Sequence, residues 1–164
     1  MGLQLPGELI WLLGELGYNW PEADEEQLFH MANVWLNFAG KVSDTVSAGT
    51  AAARPVWTVN QGDDVAAFER TWNGPDAPPQ NLTTAGTSCT IVGAGLMCAA
   101  AIVLALKIEV IVQLVLLAIE IAQALATAPE TFGATLAEIP IFKEITSLIV
   151  NELLNQAIMV LLDG

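Results

Sequence analysis

The chain offers little that reaction chemistry could use. Among its 164 residues there is one histidine, His30, two cysteines, Cys89 and Cys98, and five Lys or Arg. One imidazole and two thiols, far apart in sequence, do not furnish the ligand set of a zinc site. Five basic residues against eighteen acidic ones leave a formal net charge of −13. That balance excludes the phosphate neutralisation on which nucleic-acid binding depends, and with it electrostatic docking onto an anionic bilayer. No Gly-rich phosphate loop joins a strand to a helix. The paired acids Glu25-Glu26 and Asp63-Asp64 sit where helices open, and the helix dipole accounts for them. His30 lies between Phe29 and Met31 and reads as a boundary residue. On one helix, Cys89 and Cys98 would stand about 13 Å apart on opposite faces, beyond disulfide reach, so both read as small core residues. The sequence therefore predicts no catalytic residue, no cofactor and no metal, and the negative charge reads as a solubility coat. The first residues carry no basic segment, and Glu8 and Glu15 interrupt the apolar run, so no secretory signal is expected.

Aromatic residues are scarce in half of the chain. All five Trp and the only Tyr, Tyr18, precede residue 80; beyond it the aromatics are Phe132 and Phe142. The break falls at Gly74-Pro75-Asp76-Ala77-Pro78-Pro79, a loop by its Pro and Gly content. Two halves are expected, an aromatic-rich helical one over 1–80 and an aliphatic hairpin over 81–164, packed together as one domain.

What the chain has in quantity is aliphatic helix. Leu96 to Ala128 holds no proline and is too long for a strand. Its polar residues Glu109, Gln113, Glu120 and Gln123 fall within roughly 80° of one another on a 3.6-residue helix, with Lys107 opposite. A rod with one narrow polar stripe is predicted to be surrounded by protein or lipid. Before it, Pro6 to Leu16 reads as a short helix ended by Gly17. Asp24 caps the next helix, with Gln27 three residues on. Along that helix Leu28, Met31, Trp35, Phe38, Val42 and Val46 form a seam for another helix. It is expected to run to about Ala53 and to stop or kink at Pro55. Asp63 or Asp64 should cap a helix over Val65 to Trp72. Asn81 to Ala128 is read as one helix with a soft, Thr- and Gly-rich start, where Gly95 and Ala99 suit a close helix approach. Pro129 to Ala137 is a loop, and Pro140 opens a last helix.

Several motifs in order give the chain a family likeness. They are Leu5-Pro6-x-x-Leu9-x-Trp11, Gly17-Tyr18-x-Trp20-Pro21-x-x-Asp24-Glu25 and Met31-Ala32-x-x-Trp35-x-x-Phe38-Ala39. Ala67-Phe68-x-x-x-Trp72 follows, then Trp72-Asn73-Gly74, and finally Ala128-Pro129-x-x-x-Gly133-Ala134-x-Leu136-Ala137. With these the chain resembles the WXG100-like N-terminal domain of type VII (ESX) secretion substrates and polymorphic toxins, of the kind found on outer membrane channel proteins that carry a necrotizing toxin. It departs from that pattern in the uncharged run Thr87 to Leu106, in Pro55, and in lacking a Tyr-x-x-x-Asp/Glu tag at its end.

The resemblance implies an all-α bundle of long helical hairpins around the apolar helix. It also implies a non-enzymatic delivery module, exported without a signal peptide, that works through a small helical WXG100-type partner or the secretion machinery. Recognition would fall on Trp35, Phe38, Trp72 and Gly74. A membrane-inserting or channel-forming protein, with Glu109, Gln113, Glu120 and Gln123 lining a lumen, is the alternative, because twenty uncharged residues reach the length of a bilayer core. A structural homo-oligomer is the third reading, and a homo- or hetero-oligomer is expected under all of them.

Overall fold

The computed structural model describes residues 2–163. They form α1 (Gly7–Glu15), α2 (Glu25–Val59), α3 (Asp63–Trp72), α4 (Pro78–Thr127), a short 3-10 helix (Ala134–Glu138) and α5 (Ile139–Asp163). No strand occurs among the described residues. The fold is the all-α helical bundle expected from the sequence, with a long apolar helix in it. It has two compact units. One takes the residues up to Gln27 and from Ala99 onward, and the other is Leu28–Cys98.

The first unit joins the start of the chain to its end. α1 begins directly after Pro6, whose carbonyl accepts from the N–H groups of Leu9 at 2.9 Å and Ile10 at 3.2 Å. It ends where Gly17 takes φ 85°, a left-handed value that suits glycine. Leu12 and Leu13 of α1, with Leu5 before it, meet Val110, Leu114 and Leu117 of α4 and Val150 of α5 in one apolar core. Tyr18 adds a polar fastening, since its hydroxyl donates to the Ser147 carbonyl on α5 at 3.1 Å. Beyond α4 the chain turns through Phe132 and Gly133, both at positive φ. There the Thr135 hydroxyl donates to the Ala124 carbonyl at 2.9 Å and closes the turn.

The second unit packs α2 on the early part of α4. Asp24 caps α2 as expected, accepting from the Gln27 N–H at 3.1 Å. The helix does not stop at Pro55 but continues to Val59. Only the last turn lies beyond the proline, so little of the hydrogen-bond ladder is at stake. Trp57 there lies tilted against Phe68 with ring centroids 5.9 Å apart, and the Asn60 side chain supplies a donor to the Val56 carbonyl at 2.9 Å. α3 starts at Asp63, and neither aspartate caps it; Gly62, at φ 141°, holds that position without a side-chain bond. The Thr-rich start of α4 is helical from Pro78. The hydroxyls of Thr83, Thr84, Thr87, Ser88 and Thr90 each bond a carbonyl four residues back, at 2.8, 3.1, 3.0, 3.1 and 3.1 Å, so these weak helix formers join the helix rather than compete with it.

Close approach occurs at Gly86 and Gly93, not at Gly95. A Cβ on Gly93 would stand 2.8 Å from Leu36 Cγ and 3.1 Å from the Ala32 carbonyl, whereas one on Gly95 would meet nothing within 4 Å. The seam read in the sequence holds in its later part, where Val42 meets Gly86 and Val46 lines the same cleft, and departs from the inward line at Met31, Trp35 and Phe38. Ala32 is fully buried and Leu36 faces Gly93, while Met31, Trp35 and Phe38 are exposed. Of the cysteines, Cys89 is buried but Cys98 is exposed, so only one is a core residue. Nor is the apolar rod enclosed by its own chain. In the most apolar stretch of α4, 22% of the residues are buried.

Candidate interaction site

Trp35 and Phe38 share one exposed face of α2. With Met31 and Val34 they occupy positions i, i+3, i+4 and i+7, a single stripe along the helix. All four are exposed, Trp35 at 38% and Phe38 at 51%. A helix that turns its small residues, Ala32 and Ala39, toward its neighbour and its large aromatics toward solvent presents a surface suited to another helix.

Trp72 and Gly74 stand at the end of α3. The Trp72 ring lies 5.7 Å from that of Phe68, which in turn meets Trp57. Its indole N–H is buried without an acceptor among the described residues. The Asn73 N–H bonds the Glu69 carbonyl at 3.0 Å and the Ala77 N–H bonds the Gly74 carbonyl at 3.1 Å, which carries the chain from α3 toward α4. A Cβ on Gly74 would come within 3.3 Å of the Arg70 carbonyl. Glycine is thus favoured here by the tight fit against the last turn of α3, since Gly74 is not among the positive-φ residues.

The polar stripe of α4 does not converge on one site. Glu109 lines a cleft of about 310 Å³ with Leu106, Leu153 and Gln156. Glu120 and Gln123 line a separate one of about 410 Å³ with Thr127, Glu138 and Phe142. Both open along α5, which makes the stripe a wetted border between the two helices. Gln113 is half-buried. Among the described residues no group of three or more His, Cys, Asp or Glu could hold a metal ion.

The sequence reading missed the strongest electrostatic feature. Lys107, 1% exposed, donates from Nζ to the Ala23 carbonyl at 2.6 Å and to Glu25 Oε2 at 2.7 Å. Its ammonium also lies 5.7 Å from the Trp20 ring centre. Glu25 Oε1 accepts from the Leu3 N–H, and the Trp20 indole donates to the Leu3 carbonyl at 3.3 Å. Burial pushes the Glu25 carboxyl up. The bonds from the Leu3 N–H and Lys107, a further backbone bond and the Lys107 charge outweigh that, so it titrates below the ordinary glutamate value. A lone lysine in an otherwise aliphatic stretch, set opposite the polar stripe, was the available clue, because such a charge needs a carboxylate.

These features define the class, an all-α bundle of long helices with apolar side chains turned outward. The model of the WXG100-like domain family matches residues 6–147, and the chain belongs to that family. Membership makes it a secretion-related helical protein with a type VII-like export route, of a kind that forms helical oligomers or partner complexes. No curated protein and no solved structure matches it.

Proposed function

We propose that the chain is a non-enzymatic delivery module, the N-terminal helical part of a type VII-exported protein of the polymorphic-toxin kind. It is handled through helix-to-helix contact with a small WXG100-type partner or with the machinery itself. The observation that carries this reading is the exposed stripe Met31, Val34, Trp35 and Phe38 on α2, large apolar side chains that a folded chain ordinarily covers. Family membership and the Trp72-Asn73-Gly74 turn support it. Export from a host with and without its type VII secretion ATPase tests it. Secretion should need the ATPase, and Trp72→Ala should lower it more than Trp57→Ala does; secretion unaffected by loss of the ATPase would refute it.

A second reading, insertion into a membrane, draws on a separate observation. α4 and the segment Ala134–Leu162 are both long and apolar enough to cross a bilayer, and Phe132 at the turn between them is 99% exposed. Insertion of α4 would have to pull Lys107 from Glu25, which weighs against it. Conductance across liposomes would favour this reading; a purified chain that stays dispersed without detergent and leaves liposomes intact would discard it.

A further inference from the structure

Asn73-Gly74 is a chemically labile pair held still by the turn it forms. Of the eight asparagines in the chain, Asn73 alone is followed by glycine. Its side chain is exposed, so water reaches it. Glycine leaves its own peptide nitrogen unscreened by a Cβ and lets the backbone rotate where other residues resist. Such a nitrogen is free to attack the side-chain carbonyl carbon of the asparagine before it. The turn nevertheless needs both members. Asn73 closes α3, donating from Nδ2 to the Glu69 carbonyl at 3.0 Å, and a Cβ at residue 74 would press on the Arg70 carbonyl.

The folded geometry forbids the attack. Ring closure joins the Gly74 nitrogen to Asn73 Cγ, and the ring requires that nitrogen to lie eclipsed with Cβ about the Cα–C bond. At ψ 5° it is eclipsed with residue 73's own nitrogen instead. The Gly74 N–H is also engaged, on the Thr71 carbonyl at 3.4 Å, and the Gly74 carbonyl accepts from the Ala77 N–H at 3.1 Å. Swinging the peptide into place breaks both backbone bonds, so the reaction waits on local opening of the turn.

We propose that Asn73 is a self-modifying site, a one-way marker that the Trp72-Asn73-Gly74 turn has opened. The Gly74 nitrogen bonds to Asn73 Cγ and gives up its proton. The bond from Cγ to Nδ2 breaks, and the amide nitrogen leaves with that proton as ammonia. One water then opens the succinimide. Cleavage between the Gly74 nitrogen and Cγ yields aspartate; cleavage between that nitrogen and the backbone carbonyl carbon of residue 73 yields isoaspartate. Aspartate puts an acceptor where Nδ2 had donated to the Glu69 carbonyl, and its negative charge falls at the C-terminal end of α3, where the helix dipole disfavours it. Isoaspartate routes the backbone through the side chain and lengthens it by a methylene. In neither case does the turn close as before. The site needs no partner and no enzyme, and it does not rest on the export reading.

The test is peptide mapping by mass spectrometry. The purified full chain is incubated in water carrying a heavy oxygen isotope, at mildly alkaline pH, with and without urea above the unfolding midpoint. In urea, Asn73 should convert before any other asparagine, take up one labelled oxygen, and give aspartate and isoaspartate together. Without urea its conversion should be slower by more than about 10-fold, because the turn is then mostly closed. Asn73→Gln should lose both products. Equal rates with and without urea would overturn the proposal, as would conversion confined to other asparagines. Asn73→Asp, which is one of the two products, should quicken hydrogen exchange at the Ala77 N–H. Exchange as slow as in the wild type would mean that the turn re-forms, and would overturn its one-way character. Because no secreting host is involved, failure here leaves the export reading standing.

Discussion

The Lys107 ammonium and the Glu25 carboxylate meet at 2.7 Å across 82 residues of chain, both almost wholly buried. A charge removed from such a pair leaves its partner without compensation. Lys107→Met should therefore cost about 3–5 kcal/mol, read from the urea midpoint and slope. Glu25→Gln combined with Lys107→Met should cost less than the sum of the two single changes, since each single change strands a buried charge and the double variant strands none. Additive losses would show that the pair is not a coupled unit.

Acid should act on the same carboxylate. Glu25 titrates lower in the folded chain than in the unfolded one, so as pH falls the unfolded state takes up the proton first. Its stabilising contribution is then complete above the ordinary glutamate value and is lost as pH drops through the lower, folded value. Denaturant midpoints measured from about pH 7 down to about pH 3 should fall less steeply in Glu25→Gln than in the wild type.

Two glycines on one helix should respond in opposite directions. Gly93→Ala drives a methyl group into Leu36 and the Ala32 carbonyl, and should destabilise by about 1–3 kcal/mol. Gly95→Ala meets nothing and should stabilise by about 0.5–1 kcal/mol through backbone entropy. Thermal unfolding of the two variants side by side checks both signs.

The α2 stripe should matter more for partners than for folding. Phe38→Ser, at an exposed site, should change stability by no more than about 1 kcal/mol while lowering export. Unchanged export alongside unchanged melting would remove the role given to the stripe.

The helices were legible because their signals are local. Pro6 and Gly17 bracket α1, Asp24 caps α2, and the Pro-rich loop ends α3 where the composition shifts. Pro55 misled because a proline one turn from a helix end disturbs little, which its neighbours Trp57 and Asn60 decide. The α2 seam was right at Val42 and Val46 and misplaced at Met31, Trp35 and Phe38, for a tertiary reason. Gly86 and Gly93 of α4 draw α2 in by its small residues, and periodicity alone does not tell which of two adjacent apolar lines faces inward. Lys107 alone signalled that a carboxylate must meet it, but not that Glu25 would, because an acid in the first turn of a helix already has a sufficient local explanation. For the interaction surface, Trp35 and Phe38 were named from the family pattern; their exposure is what the fold adds.

The Tyr18 hydroxyl on the Ser147 carbonyl bears on how the molecule comes into being. The opening helix emerges from the ribosome long before the segment it must clasp, and Leu12 and Leu13 have no resting place until α4 and α5 have been made. During synthesis α1 must therefore wait for α4 and α5 before its apolar face is covered. Once the clasp has closed, pulling on α5 would loosen α1 in the same stroke.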